Sequence, residues 1–490
     1  MLRVQIRTLV ITLLIIAGLL AGVLAARRFL ASGSGASPRD VALEPEVAAS
    51  QLALGITAIT LSRPEDAAVA LGHAQEAKDV MPEPMRAATD AAEAIVDGNM
   101  DRAWDVLDEA LRQWPDDPRL NLLKGFTAAV SCPHFDPNEA RDHLETALAA
   151  GLGGAEIRVL LQQSYEMTGL HNWSLSRAME RLASHPEETS AIAEVGRARI
   201  ARGEYGDALL AADDIVRAGE DVFGHGLAPA FILSGRYDEI AAMYDPDLES
   251  SVRADANALT HLHAGIDEVL RGRLPRAAMH FERGPEFVTA SWQSPRRALF
   301  LVLLSRVHLL MGRNQEARAS LEEAMRQEPE EPMLEYLLGA VELASGQEAS
   351  AMRWIDALAI ERRRGQPGWS APWERLLTGE IALAHGDITA AIAAFRDAWD
   401  MQMHIGVDCI IGHVESYYLD ALGRAYLAAG RPEEALREYE QVFALGLRGL
   451  HQPEIAALAH YRSGLALEAL GRDADARPAL ERYRRWQQGS

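Results

Sequence analysis

Lysine is almost missing from this 490-residue chain: Lys78 and Lys124 are the only two, and every other basic side chain is arginine. That bias reads as GC-rich, bacterial coding. Basic residues total 48 against 71 acidic ones, a formal charge of −23. A surface of that sign repels a phosphate backbone, which excludes generic nucleic-acid binding. Cysteine is as scarce as lysine. Cys132 and Cys409 are too few for a disulfide framework or a four-cysteine zinc site, and they leave the redox compartment open. Lying 277 positions apart, they are expected to stay unpaired in an extended array. Aromatic residues make up only 6% of the chain. No segment alternates as a strand would. Phosphate-loop, GxGxxG, HExxH and GxSxG patterns are all missing, so the sequence offers no enzyme template and implies no cofactor or small-molecule substrate.

Alanine, by contrast, occurs 83 times, a composition that favours helix. One uncharged run stands out, Thr8 to Ala26. Its 19 residues reach about 28 Å as a helix, close to the ~30 Å of a bilayer's hydrocarbon. Arg3 and Arg7 precede it, Arg27 and Arg28 follow it, and the balance with the α-amine puts the N-terminus in the cytoplasm. The expectation is a single-pass anchor of a bacterial inner membrane with a periplasmic body; the alternative is a cleaved signal peptide ending near Val23-Leu24-Ala25. Residues 1–7 form a tail, and 27–46, rich in small and polar types around 31–40, read as a tether.

From residue 47 to 487 the chain repeats. Gly98, Gly169, Gly203, Gly235, Gly272, Gly312, Gly346, Gly386, Gly430 and Gly471 are each expected to end a first helix. Five residues on, eight of the ten positions are alanine, from Ala103 to Ala476. Seven residues before, nine of ten are small, six of them glycine (Gly196, Gly265, Gly339, Gly379, Gly423, Gly464). Nine residues after, eight are large and apolar, among them Phe281, Phe395 and Tyr439. Small residues on facing helices let a pair pack closely, and the large residue is expected to fill the space against the next unit. Ala67 and Ala140 place two weaker units in the gaps.

The pattern resembles the tetratricopeptide repeat, most clearly in residues 303–329 and 422–442. The resemblance implies an all-α, right-handed α-solenoid of about twelve helical hairpins. It also implies a concave surface lined by first-helix side chains, where protein partners lie. Carried over position by position, that surface includes Leu262, Ile266, Leu299, Val302, Arg306, Met333, Tyr336, Trp373 and Leu376, an aliphatic-aromatic face suited to an amphipathic or extended apolar segment. The competing reading buries the same residues inside a tight superhelix.

Three smaller constellations compete with plain structural roles. His404, Asp408, Cys409 and His413 fall at i,i+4 spacing if helical, with types that suit zinc, although Gly406 and Gly412 weaken a helix there. Cys132, His134 and His143 are a looser scatter, so no metal is assigned. The basic run Arg362-Arg363-Arg364 with Trp369 and Trp373 suits an acidic partner or an inter-repeat loop, and Asn172-Trp173-Ser174 matches a glycosylation acceptor by chance. The function expected is a membrane-tethered interaction scaffold or adaptor for protein partners. An envelope assembly chaperone is the alternative, and an enzyme with an unrecognised site is a more distant one.

Overall fold

The computed structural model describes residues 45–243, 254–290, 293–363, 370–405 and 407–489. Within them 24 α-helices follow one another as twelve antiparallel pairs. The first six pairs are α1 (Pro45–Thr60) with α2 (Pro64–Glu76), α3 (Glu83–Val96) with α4 (Met100–Gln113), α5 (Pro118–Val130) with α6 (Pro137–Ala149), α7 (Ala155–Met167) with α8 (His171–Ser184), α9 (Thr189–Ala201) with α10 (Tyr205–Arg217), and the short α11 (Ala228–Leu233) with α12 (Tyr237–Ala241). The second six are α13 (Ala254–Leu270) with α14 (Leu274–Arg283), α15 (Ser294–Leu310) with α16 (Asn314–Gln327), α17 (Pro332–Ala344) with α18 (Glu348–Arg363), α19 (Ala371–Ala384) with α20 (Ile388–Ile405), α21 (Glu415–Ala428) with α22 (Pro432–Ala444), and α23 (Pro453–Ala469) with α24 (Asp473–Gly489). Among the described residues there is no strand, only an isolated bridge between Asp408 and Gly412. The candidate anchor, Thr8 to Ala26, lies outside the described residues; among those described, no helix is long and apolar enough to cross a membrane.

Ten of the twelve hairpins turn on the glycine the periodicity picked out. All ten closing glycines have positive φ, between 66° and 77°, the left-handed region in which a Cβ is costly. The first hairpin makes the same turn without glycine: Ser62 has φ 55°. Counting from Ser62 recovers Gly55, Ala67 and Leu71 at the repeat's other positions.

Packing inside a hairpin adds to the expectation that the large residue fills the space against the next unit. In several units the large residue covers the small residue of its own partner helix, while at Gly196 and Gly339 a leucine of the next unit, Leu227 or Leu377, does so. A Cβ built at Gly265 would lie 2.3 Å from the Phe281 ring, one at Gly379 2.4 Å from Phe395, and one at Gly423 2.5 Å from Tyr439. Glycine is therefore fixed by the aromatic ring opposite, as Gly55 is by Leu71 at 2.6 Å.

The turns of the superhelix also touch one another. Gln293 Nε2 donates to Ser62 Oγ at 2.7 Å, Arg306 pairs with Glu454 at 2.9 Å, and Trp486 Nε1 donates to the Val269 carbonyl at 2.6 Å. These partners stand four to seven hairpins apart along the chain. Instead of an open concave wall, the inner helices of one turn meet those of the next, and one apolar core runs from Cys132 to Trp486.

Candidate functional site

The inner face proposed from sequence sits in that core. Leu262 and Ile266 on α13, Leu299 and Val302 on α15, Met333 and Tyr336 on α17, and Trp373 and Leu376 on α19 are all buried by the chain itself. Tyr336 and Trp373 keep only 4% of their surface each, with ring centroids 5.2 Å apart. Tyr417 of α21 stands edge-on to both at 6.1 Å, and Tyr418 lies 5.7 Å from Trp373. An apolar segment from a partner would meet an aromatic cluster already filled from α21.

Charge is threaded through the same region. Arg306 donates from Nε to Glu454 at 2.9 Å and lies over the Tyr417 ring at 5.4 Å. Burial pulls the Arg306 guanidinium down, but the Glu454 carboxylate outweighs it and holds the group firmly charged. Nearby, Arg424 grips Glu380 with two nitrogens, at 3.0 and 2.5 Å, and Asp420 with Nε at 3.0 Å. Arg462 closes the chain onto Asp420. Burial raises the Asp420 carboxyl, yet the two guanidiniums keep it below the usual carboxylate range. Each buried charge thus has a partner, the condition under which such groups are tolerated.

The largest departure from the sequence reading is the pair of cysteines. Cys132, in a 3₁₀ turn at Cys132–His134 between α5 and α6, is disulfide-bonded to Cys409, between α20 and α21, with their Cα atoms 5.2 Å apart. The expectation that they stay apart assumed an extended array. In the closed superhelix, positions 277 residues apart become neighbours.

Two acids flank the bond. Glu331, just before α17, brings Oε2 to 3.1 Å from Cys409 Sγ. Asp408 Oδ1 accepts the N–H groups of Ile410 and Ile411 at 2.8 and 3.0 Å. That captured turn replaces the helix on which i,i+4 pairing of His404, Asp408, Cys409 and His413 depended. His413 instead faces Glu415 at 3.3 Å, and His404 lies outside the described side chains. Burial, reinforced by the neighbouring Asp408 carboxylate, pushes the Glu331 carboxyl well above its ordinary range.

Ligand atoms of Cys132, Cys409 and Glu331 lie within 4.8 Å of one another. Thiolate is the metal-binding form of cysteine, and a disulfide supplies none. The other scatter separates: His134 stacks on Trp104 at 4.4 Å and meets Asp101 at 2.8 Å, while His143 Nδ1 meets Asn121 Oδ1 at 2.7 Å. The basic run Arg362–Arg364 and Trp369 fall outside the described side chains, whereas Trp373 belongs to the core.

Two cavities open at the seams. One of about 550 Å³ lies where α24 returns to α14 and α15, lined by Leu274, Leu310, Met311, Tyr483 and Trp486 among others. The second, of about 390 Å³, reaches Cys132 and is lined by Asp97, Asp101, Ser131, Ser294 and Glu328 among others. Sequence reasoning missed Glu331 and the second cavity, because both arise only when distant turns come together.

Residues 52–118, 302–367 and 421–490 match the tetratricopeptide repeat family model. Among solved structures, the chain is similar to a tetratricopeptide repeat protein from Parabacteroides merdae, at 16% identity over 70% of this chain and 98% of that one, with TM-score 0.27. It is also similar to the APC/C hetero-tetramer Cut9–Hcn1, at 15% identity, 92% and 96% coverage and TM-score 0.31. Yeast Tom70 follows at 13% identity, 90% and 96% coverage and TM-score 0.31. No curated protein matches.

Proposed function

We propose that this chain of tetratricopeptide repeats is a protein-interaction scaffold, tethered to a bacterial inner membrane by residues 8–26. The observation that carries the reading is the stack itself, whose hairpins contact mainly their neighbours and leave a long outer surface for partners. With the nominated inner residues engaged by the chain's own turns, partner contact falls to the outward helices and the seams. The excess of acidic residues favours partners with basic surfaces. A Cys132–Cys409 disulfide supports the periplasmic orientation, since such bonds persist in oxidising compartments.

Cross-linking in intact membranes followed by mass spectrometry tests this. A scaffold yields the same few partners at near-stoichiometric levels. Many sub-stoichiometric clients would replace it with an assembly chaperone. For orientation, a cysteine engineered at exposed Ser62-adjacent Arg63 is expected to react with a membrane-impermeant thiol reagent in spheroplasts, and protection there would overturn the periplasmic placement.

A further inference from the structure

The two sulfurs of the disulfide have unlike surroundings. Cys132, itself 9% exposed, lines the cavity of about 390 Å³, which makes that cavity the approach to its side of the bond. Cys409 is the sulfur beside Glu331, whose Oε2 stands 3.1 Å away. Attack from the cavity side therefore makes Cys409 the leaving group, with an acid already in contact with it.

The cavity also carries a charge preference. Asp97 and Asp101 line it, as does Glu328, a carboxyl that burial pushes above its ordinary range against a hydrogen bond with Ser294. Glu328 Oε1 and Ser131 Oγ are buried with no hydrogen-bond partner, although both residues are more than nine-tenths buried. Their empty acceptor positions suit an ammonium group. The cavity's acids do not form a cluster tight enough to share a metal ion.

We propose that Cys132 is a site of mixed-disulfide formation with small thiols that carry a cationic group, and that Glu331 is the proton donor to the departing Cys409 sulfur. The thiolate of the incoming molecule attacks Cys132 Sγ. The Cys132–Cys409 bond breaks and its electron pair moves to Cys409 Sγ, which takes the Glu331 proton. A second thiolate attacks the outer sulfur of the mixed disulfide, releasing the oxidised thiol and leaving Cys132 as a thiolate that solvent protonates. In all, two thiols are oxidised to one disulfide and the protein disulfide is reduced to two thiols. Glu331 is suited to the donor role because its Oε2 stands 3.1 Å from Cys409 Sγ and its burial beside Asp408 favours the protonated carboxyl over the ionised one.

The test uses the oxidised full chain with cysteamine, 3-mercaptopropionate and 2-mercaptoethanol, which differ in charge. Acid quenching, alkylation and peptide mapping locate the first adduct. It is expected on Cys132; an adduct on Cys409 overturns the assignment. Rates are expressed per thiolate and against a short unstructured disulfide peptide, which removes differences in thiol nucleophilicity. Cysteamine is expected to exceed 3-mercaptopropionate by about tenfold or more, the scale of one or two charge contacts. Asp101→Asn should shrink that ratio and leave 2-mercaptoethanol unchanged; an unchanged ratio overturns the cationic preference.

For Glu331→Gln, the rate per thiolate is expected to fall about tenfold or more. In the native chain that rate declines as pH rises through Glu331 ionisation, and in the variant it is flat. Matching pH profiles for the two proteins would overturn the donor role. Circular dichroism of the oxidised variant confirms that it folds, since glutamine can still accept the Met333 N–H at the start of α17.

Discussion

The indole Nε1 of Trp486, four residues from the C-terminus, donates to the carbonyl of Val269, 217 residues earlier. Beside that bond the turn after α13 has no room for a side chain: a Cβ at Gly272 would fall 1.8 Å from the Trp486 carbonyl oxygen. The last hairpin is thus docked onto the seventh through backbone contact, and a repeat glycine has acquired a second duty.

Gly272 and Gly312 share nearly the same φ, 76° and 71°, but a Cβ at Gly312 meets open space. Gly312→Ala should cost only the left-handed strain, about 1–2 kcal/mol. Gly272→Ala adds a clash with main chain, so it should cost about 1–3 kcal/mol more. Urea unfolding of both variants measures the difference, and equal losses would show that α24 does not dock there.

The disulfide closes a loop of 277 residues. Chain-entropy arguments assign such a crosslink about 5–6 kcal/mol. Cys132→Ser with Cys409→Ser should lower the urea midpoint accordingly. Reduction by dithiothreitol should destabilise the native chain by a similar amount and leave the double variant unmoved. Limited proteolysis near residues 407–414 should accelerate in both reduced and variant forms.

His261 and His280 face each other on α13 and α14, Nδ1 to Nδ1 at 2.9 Å, with Phe287 stacked on His261. Burial pushes each down to about 4, with Arg283 adding to the effect. An unfolded histidine titrates near 6.5, so between about 6.5 and 4 the unfolded state binds protons that the folded state refuses. Stability should therefore fall as pH drops through that window, by up to about 1.4 kcal/mol per pH unit for each group. Replacing both with glutamine should reduce the slope of urea midpoint against pH between about 6.5 and 4.5, leaving the part that other buried histidines such as His263 and His460 contribute.

The hairpins were legible because each is built locally. A closing glycine, an alanine five residues on and a small residue seven before are contacts within about thirty residues, and the sequence displays them directly. Ser62 escaped because serine rarely adopts positive φ, though Gly55, Ala67 and Leu71 were in register around it. The nominated inner residues all lie on the first helices of their hairpins. Whether the inner faces stay open depends on how many hairpins complete a superhelical turn, a small angle per repeat that no single unit records. The same accumulated angle brings Cys132 to Cys409, Glu331 to both and Trp486 to Val269. Around residues 407–412 the cause is local: Asp408 captures the N–H groups of Ile410 and Ile411, which a helix would have used otherwise.

Arg306 and Glu454 offer the sharpest test of whether the inner face is core. If α15 and α23 are packed together, Glu454→Ala strands a guanidinium away from water beside Tyr417, which should cost about 3–5 kcal/mol. Arg306→Met alone strands Glu454 and should cost a similar amount. Combining Arg306→Met with Glu454→Leu removes both charges and refills their volume, so the double variant should be more stable than either single one, by about 2 kcal/mol or more. A double-mutant cycle on urea unfolding reads that coupling. An open groove would place both groups in water, where such a pair contributes about 0–1 kcal/mol and the three variants would differ little. Strong coupling therefore means that the inner wall of this superhelix is occupied by the chain itself where α15 meets α23.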